Sequence, residues 1–131
     1  MLGRLLTAGG ALAVLGIGAA AWTWTPQSTR TYGIPSDDPD THAYVKAIAA
    51  RDLVMGSFVL WAALANDRRA MEAGLLACWL APAADLLLAR ERRGVVPQLG
   101  IHAAGVLGVL GTWAVLHCTP NTARASPREP R

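Results

Sequence analysis

The chain has 131 residues, of which 53% are hydrophobic, with a mean hydropathy of +0.30 and a formal net charge of +3. In a soluble protein this charge would favour nucleic-acid binding, but the arginines are spread around the ends of apolar stretches and form no single basic run. Composition and charge therefore exclude a nucleic-acid partner and predict one domain that resides in the lipid bilayer.

Four apolar stretches follow one another along the chain: 5–24, 47–65, 71–89 and 99–117. Each is close to the ~20 residues that a helix needs to cross a ~30 Å hydrocarbon core. A soluble four-helix bundle would show a polar stripe on every helix, and the second half of the first stretch shows none. The sequence predicts an all-α, polytopic membrane protein, an up-down bundle of four transmembrane helices within residues 1–118.

The first stretch has an alternative interpretation as a secretory signal peptide, with Arg4 before the apolar core and a cleavage site near Ala19-Ala20-Ala21. Cleavage would leave three helices. The apolar run is longer than the ~7–15 residues of a signal peptide core, and Trp22 and Trp24 lie where an interfacial aromatic belt is expected. We therefore expect the first helix to be retained.

The connections are short except for one loop at 25–41, whose prolines, glycine and aspartates predict turns rather than helix. Asp40 or Thr41 is the expected cap of the second helix. Hairpin connections are predicted at 66–70 and 90–98. Residues 119–131 mix Pro, Ser, Thr and Arg without apolar periodicity, which predicts a disordered polar tail.

Basic residues bear on orientation, because cytoplasmic loops carry an excess of Lys and Arg. The side that holds both termini has six of them, and the other side also has six. If Lys46 and Arg51 belong to a site, the count becomes six against four. The sequence then predicts a cytoplasmic-membrane protein with both termini in the cytoplasm.

Ionisable residues inside the apolar stretches mark a candidate site, because charge in hydrocarbon is costly. Arg51, Asp52, Asp85 and His102 are expected at about the same depth, since the second and fourth helices start and the third helix ends on one side. At 1.5 Å per residue they lie within about one helical turn along the membrane normal. Small residues share their helix faces, which places them toward the bundle interior.

Two interpretations of this cluster remain open. In one, Arg51 and Asp85 form a salt bridge, completed by Asp52 and His102, that only holds the helices together. In the other, the cluster is a pocket under the loop 25–41, with further side chains at its rim. The predicted ligand-binding residues are then Arg51, Asp52, Asp85, His102, Lys46 and Tyr32, with Tyr44 also at the rim and with Asp85 and His102 as candidate catalytic acid and base.

Pro82 lies one turn before Asp85 within the third stretch. A proline in a helix interior removes one hydrogen bond and frees the carbonyl four residues earlier, here that of Cys78. We expect a kink at this point. Such a kink either opens a polar pocket beside Asp85 or only bends the helix for packing.

Several short segments resemble the membrane family catalogued as domain of unknown function 4267. They are Tyr32-Gly33-Ile34-Pro35 with the following acidic loop, Tyr44-Val45-Lys46, Arg51-Asp52 and Ala81-Pro82-Ala83-Ala84-Asp85. The resemblance spans about residues 25–118. It implies four membrane helices and includes the loop, the Arg-Asp pair and the Pro-proximal Asp in the family pattern. It implies no particular activity.

Three functions from different classes are consistent with these features. The first is a membrane protein that binds or transforms a small lipophilic molecule, with Arg51 as an anchor for an oxygen or an anion. The second is a non-catalytic accessory or structural subunit, with a second copy or another membrane protein as partner. The third is a small proton-coupled exporter, although such exporters carry a carboxylate in their first helix and this chain has none there. No motif predicts a metal or a cofactor, and the sequence does not decide whether the protein is an enzyme.

Overall fold

The computed structural model describes residues 1–93 and 99–119, and regular secondary structure in this part of the chain is entirely helical. The helices are α1 (Leu2–Thr23), α2 (Thr25–Thr31), α3 (Pro39–Leu64), α4 (Arg68–Cys78), α5 (Leu80–Arg93) and α6 (Leu99–Cys118). The first residues of the predicted hairpin at 90–98 are helical, because α5 continues to Arg93. Residues 94–98 and, after Thr119, the predicted tail lie outside the described residues.

Within the described residues, four segments are long and apolar enough to cross a membrane: α1, α3, α6, and Arg68–Leu88, which joins α4 to most of α5. At most 33% of any of these apolar windows is buried inside the bundle. Large apolar side chains face outward, with Val54 and Leu107 each 70% exposed. Water would disfavour such a surface, whereas lipid tails cover it. The predicted all-α polytopic membrane bundle is confirmed.

Glycines permit the close packing of α1 along α3, the most extensive helix contact in the bundle. A Cβ added at Gly56 would lie 2.8 Å from the Leu15 side chain, and one added at Gly18 would lie 3.0 Å from the Ala49 carbonyl oxygen. Small residues at such crossings let two membrane helices approach closely without a hydrophobic driving force. Helix α6 completes the bundle through contacts with α1, α4 and α5.

The larger buried cluster lies toward the membrane face that holds the start of α1 and the end of α6. The buried side chains there are Ala11, Val59, Ala62, Ala63, Met71, Leu75 and Leu116. Toward the opposite face the buried cluster is smaller, consisting of Ala21, Val45 and Ala49 with Tyr32 and Ile34 packed against it. This second face is the one that carries the candidate site.

The prediction that residues 25–41 are turn-rich rather than helical is wrong for their first part, because Thr25–Thr31 form α2. Pro26 lies in the first turn of α2, where the missing N–H of proline removes no helical hydrogen bond. Thr25 and Thr29 are buried, and their hydroxyls donate to backbone carbonyls one turn earlier. Tertiary burial, rather than local composition, therefore stabilises this short helix.

Helix α3 begins at Pro39, eight residues before the predicted apolar stretch, and its cap is Asp38 rather than Asp40 or Thr41. The Asp38 carboxylate accepts hydrogen bonds from the Thr41 backbone N–H, at 3.0 Å, and from its hydroxyl, at 3.1 Å. Both bonds lower the pKa of Asp38, and the bond from the backbone N–H has the larger effect. Proline favours the first helical position, so the cap falls on the residue before it.

The third span is interrupted at Trp79, between the end of α4 and the start of α5. Pro82 has no N–H to donate to the Cys78 carbonyl, so one hydrogen bond of the helical series is missing at that point. The series resumes with the Ala83 N–H donating to the Trp79 carbonyl at 3.2 Å. The expected break before Asp85 is therefore present.

Two arginines cap helix ends on the face opposite the candidate site. Arg4 donates to the Ala63 and Leu64 carbonyls at the end of α3. Arg68 donates to the Leu116 and His117 carbonyls at the end of α6, and to Thr119 beyond it. Cations at helix C-termini satisfy unpaired carbonyls and oppose the negative end of the helix dipole.

Candidate functional site

An ion cluster of Arg51, Asp52 and Asp85 links α3 to α5. Arg51 donates from Nη1 and Nη2 to both carboxylate oxygens of Asp85, at 3.3 and 2.9 Å, in a bidentate arrangement. It also donates from Nε and Nη2 to Oδ1 of Asp52, at 3.1 and 2.9 Å. These bonds engage all but one of the guanidinium N–H groups. The structure thus brings together the charged residues that the sequence places at one depth.

The side chains of the ion cluster are partly buried. The Asp52 and Asp85 side chains are 14% and 13% exposed, whereas the Arg51 side chain is 32% exposed. A carboxylate in such surroundings needs a partner, and a planar guanidinium that holds two carboxylates meets this need for both at once. The cluster still carries one negative charge in excess, since two carboxylates face one guanidinium.

His102 and Tyr32 lie at the same end of the bundle and stack on each other. Their ring centroids are 5.9 Å apart and their planes are inclined by 20°. His102, on α6, is only 6% exposed, and its Nε2 has no hydrogen-bond partner among the described residues. The Tyr32 hydroxyl is likewise buried and without a partner there. Two polar atoms are therefore left with unused hydrogen-bonding capacity at this end of the bundle.

The Tyr32 hydroxyl keeps its proton over a wide pH range. Burial, followed by the negative charges of Asp52 and Asp85, raises the pKa of Tyr32 to about 12. Each of these effects disfavours the phenolate. At physiological pH the hydroxyl is therefore a neutral group that both donates and accepts hydrogen bonds.

Two cavities meet at these residues. The outer cavity, of about 680 Å³, opens between the loop after α2, the start of α3 and the ends of α5 and α6 that face it. The inner cavity, of about 170 Å³, lies between α1, α3, α5 and α6 and has a mainly apolar lining that includes Ala11, Val14 and Ile101. Tyr32, Asp85 and His102 line both cavities. They form the boundary between the outer cavity, which has the more polar lining, and the apolar inner cavity.

The predicted ligand-binding residues divide into three groups. Tyr32, Asp85 and His102 line both cavities, and Arg51 and Asp52 line the inner one. Lys46 is exposed and lines neither of the two. Whether any of them binds a ligand stays a prediction.

Among the residues of the outer cavity that were not predicted as site residues, two are acidic, Asp38 and Asp40. The available signal was helical spacing: Asp40, Tyr44 and Ile48 are four residues apart and share a face of α3 once that helix starts at Pro39. Because the sequence predicts the helix cap at Asp40 or Thr41, it places Asp38 in the loop and treats Asp40 only as a candidate cap, and it assigns neither residue to the ligand site.

Asp and His side chains can transfer protons or bind metal ions, but their contacts in this site limit which of these roles is available. Both oxygens of Asp85 accept hydrogen bonds from Arg51, so this carboxylate is already engaged in the ion cluster. His102 Nε2, by contrast, is not engaged. Across residues 1–93 and 99–119, no group of His, Cys, Asp and Glu has the geometry to hold a metal ion.

Fold and site together define a polytopic helical membrane protein with a charged cluster and paired cavities near one membrane face. The chain belongs to the family described as Domain of unknown function (DUF4267), whose model matches residues 11–116. This match includes the whole ion cluster, the loop after α2 and His102. No curated protein and no solved structure matches the chain.

Proposed function

We propose that this protein binds a small lipophilic molecule that carries a polar group, with the polar group at Tyr32, Asp85 and His102. The observation that carries the proposal is a pair of buried atoms at the boundary of the two cavities, Tyr32 Oη and His102 Nε2, neither of which has a hydrogen-bond partner in the described part of the chain. A buried polar atom without a partner costs roughly 1–3 kcal/mol. A ligand that hydrogen-bonds to both atoms would recover this free energy.

The shape of the site supports an amphipathic ligand. The inner cavity has apolar walls from α1, α3 and α6, which suits an alkyl or ring system, and the outer cavity supplies polar side chains around its mouth. Ligand sites are typically apolar with a few convergent polar groups. The ligand then enters from the membrane face where the loop after α2 lies.

Binding is favoured over chemical conversion. Both oxygens of Asp85 accept hydrogen bonds from Arg51, and Arg51 in turn has a single N–H group left for an external anion or oxygen. An acid-base pair of Asp85 and His102 would require Asp85 to exchange a proton while it holds a guanidinium. The proposed role of Arg51 is therefore to fix Asp85 in place rather than to anchor the ligand.

Glycines offer a direct test of the inner cavity. Gly10 and Gly108 line this cavity, and a Cβ added at either meets nothing within 4 Å. Gly9 and Gly111 are equally free of neighbours but do not line the cavity. Gly10→Leu and Gly108→Leu should therefore fill the cavity, while Gly9→Leu and Gly111→Leu place the same side chain on the outer surface.

The probe is a long-chain alcohol with a photoreactive diazirine in its alkyl chain, added to the purified protein in detergent micelles. We expect saturable labelling that maps to residues of the inner cavity and that falls at least tenfold in Gly10→Leu and Gly108→Leu. The matched variants Gly9→Leu and Gly111→Leu should label like the unmodified protein. Labelling that is spread over the lipid-facing surface and is equal in all four variants would contradict the proposal.

A second candidate, an accessory subunit without a ligand, is favoured by one observation. Arg51 pairs with two carboxylates of low exposure and joins α3 to α5, which is what a purely structural clamp requires. This alternative accounts for the ion cluster but leaves the free Tyr32 and His102 atoms without a role. For that reason we rank it second.

We further propose that the protein resides in the cytoplasmic membrane with both termini in the cytoplasm. The start of α1 lies against the end of α6, since a Cβ at Gly3 would be 3.0 Å from the Leu116 side chain. Assigning Arg51 to the ion cluster leaves six basic residues on the terminal side against five on the other. A C-terminal fusion to an enzyme that is active only outside the cytoplasm should be inactive. Strong activity of the fusion would reverse the orientation.

A further inference from the structure

The outer cavity is acidic. The described residues that line it include Asp38, Asp40 and Asp85 and neither a lysine nor an arginine. Asp52, next to Asp85, adds a fourth carboxylate, and Arg51 supplies one positive charge. The described residues that line the two cavities therefore carry four carboxylates and one guanidinium.

A second, independent observation identifies a recognition point within this acidic cavity. His102 is more than nine-tenths buried and lines the cavity, and its Nε2 has no hydrogen-bond partner within residues 1–93 and 99–119. Of the two neutral tautomers of His102, the one with its proton on Nδ1 leaves Nε2 as an acceptor and suits a ligand that donates a hydrogen bond. The Tyr32 hydroxyl, also unpartnered, can accept another.

Aromatic rings complete the environment. Tyr32 and Tyr44 both line the outer cavity, and the faces of aromatic rings attract cations. An anionic ligand, by contrast, would meet the excess negative charge and find one remaining N–H group on Arg51. The carboxylates, the two hydrogen-bond acceptors and the tyrosine rings all favour a cationic ligand that donates hydrogen bonds.

We infer that the ligand of this site carries a primary ammonium group, which lies in the outer cavity against Asp85, His102 Nε2 and Tyr32, while its apolar body extends into the inner cavity. The inference rests on the proposed binding function and names the substrate class: a lipophilic amine in its protonated form. Its three N–H donors match one carboxylate, one imidazole nitrogen and one hydroxyl. The acidic rim attracts the ammonium group before it reaches them.

Three photoreactive probes with the same diazirine-bearing alkyl chain and different head groups test this inference: a primary amine, an alcohol and a carboxylic acid. Each is titrated against the purified protein in uncharged detergent micelles at pH 7. We expect the amine to reach half-maximal labelling of the inner cavity at a concentration at least tenfold below that of the alcohol. The acid should label least.

Variants of the rim separate this charge effect from partitioning of the probes into micelles. Two unit charges ~4 Å apart in water interact with an energy equivalent to roughly a fivefold change in affinity. The rim aspartates lie farther than this from the ammonium group, so Asp38→Asn/Asp40→Asn should weaken the amine by up to roughly fivefold and leave the alcohol unchanged. Asn caps a helix as well as Asp does, so the start of α3 is preserved.

Asp37→Asn is the matched control, because Asp37 is an exposed aspartate of the same loop that does not line the cavity. It should change neither probe. Raising the ionic strength from about 0.1 to 1 M should reduce the preference for the amine, since the screening length falls from about 10 to 3 Å. A preference that is unaffected by the rim variant and by salt would overturn the inference.

The outcomes distinguish the inference from the function on which it rests. If the alcohol labels the inner cavity and the amine labels no better, the ligand is not a cation, while the proposed binding function stands. If the acid labels best, the site is anionic in preference and the inference is wrong. If none of the three probes labels the cavity in a manner that Gly10→Leu and Gly108→Leu prevent, the binding function itself is wrong.

Discussion

The Tyr32 ring stacks on the imidazole of His102 at a centroid distance of 5.9 Å. This contact joins the loop after α2 to α6 across the mouth of the bundle. The chain reverses direction immediately afterwards at Gly33, whose φ of 77° lies in the left-handed region that glycine tolerates best. The Ile34 N–H then donates to the Thr29 carbonyl at 2.8 Å, which fixes the loop against α2. These contacts hold Tyr32 at the mouth of the bundle, where it lines both cavities together with Asp85 and His102.

Tyr32 should titrate far above an ordinary tyrosine. The chain has two tyrosines, so in Tyr44→Phe the absorbance of phenolate near 295 nm reports Tyr32 alone. We expect a midpoint at about pH 12, because burial and the charges of Asp52 and Asp85 disfavour the phenolate. Asp52→Asn in the same background should lower the midpoint. A midpoint near 10 with no response to Asp52→Asn would show that the hydroxyl is solvated.

The raised pKa of Tyr32 also predicts how the stability of the folded protein changes with pH. The folded state retains the Tyr32 proton up to about pH 12, whereas an unfolded tyrosine loses it near pH 10. The contribution of this group is therefore fully present below pH 10 and is lost as pH rises through 12. In Tyr44→Phe, the thermal midpoint in detergent should fall over this window, and Tyr32→Phe should remove that part of the fall.

The ion cluster should tolerate the loss of one carboxylate and not of both. Arg51 bonds to Asp52 as well as to Asp85, so Asp85→Asn leaves the guanidinium paired. Asp52→Asn/Asp85→Asn leaves it without a carboxylate. Removing the partners of a buried charge costs about 3–5 kcal/mol, and the partial exposure of Arg51 reduces this to about 2 kcal/mol. Thermal unfolding in detergent should show a small effect for the single variant and a large one for the double variant.

A third substitution tests whether charge is the cause. Adding Arg51→Met to the double variant removes the unpaired guanidinium and should recover most of the lost stability. If the triple variant is no more stable than the double, the cluster stabilises the helices through shape and packing instead. Loss of ligand binding in the well-folded Asp85→Asn protein would support the pocket interpretation of the cluster over the structural one.

On the opposite membrane face, Arg68 should be more important for stability than its neighbour Arg69. Arg68 donates to carbonyls at the end of α6 and pairs with Glu72 at 2.9 Å, whereas Arg69 is exposed. Arg68→Gln should cost about 1–2 kcal/mol through lost charge-assisted hydrogen bonds and the helix dipole. Arg69→Gln should be within about 0.5 kcal/mol of the unmodified protein. Equal effects of the two substitutions would contradict this role.

How much of this could be predicted from the sequence depends on the range of the forces involved. The four spans follow from lengths of apolar residues, and the meeting of Arg51 with Asp85 follows from the alternating direction of the helices. Neither inference requires knowledge of tertiary detail. Both were therefore accessible from composition and order along the chain.

Other features depend on contacts that no local pattern reveals. Helix α2 forms in a Pro- and Thr-rich segment because Thr25 and Thr29 are buried against the bundle. The sharing of Arg51 between two carboxylates is decided by rotamers, and the stacking of Tyr32 on His102 requires the path of the whole loop. These tertiary contacts could only be read from the structure.

Pro82 should be the residue that keeps the third span broken, and Pro82→Ala is expected to close the break at Trp79. An alanine at 82 supplies the N–H that the Cys78 carbonyl lacks, so α4 and α5 can join into one continuous helix. Amide hydrogen exchange of residues 79–83 should slow at least tenfold. The orientation of α5 relative to α4 then changes, which moves Asp85 with respect to Arg51, and labelling of the inner cavity should fall.

Pro39→Ala is the matched control, because a proline in the first turn of α3 interrupts no hydrogen bond and its replacement should alter neither measurement. Unchanged exchange at 79–83 in Pro82→Ala would assign the break to packing around Trp79 rather than to the proline.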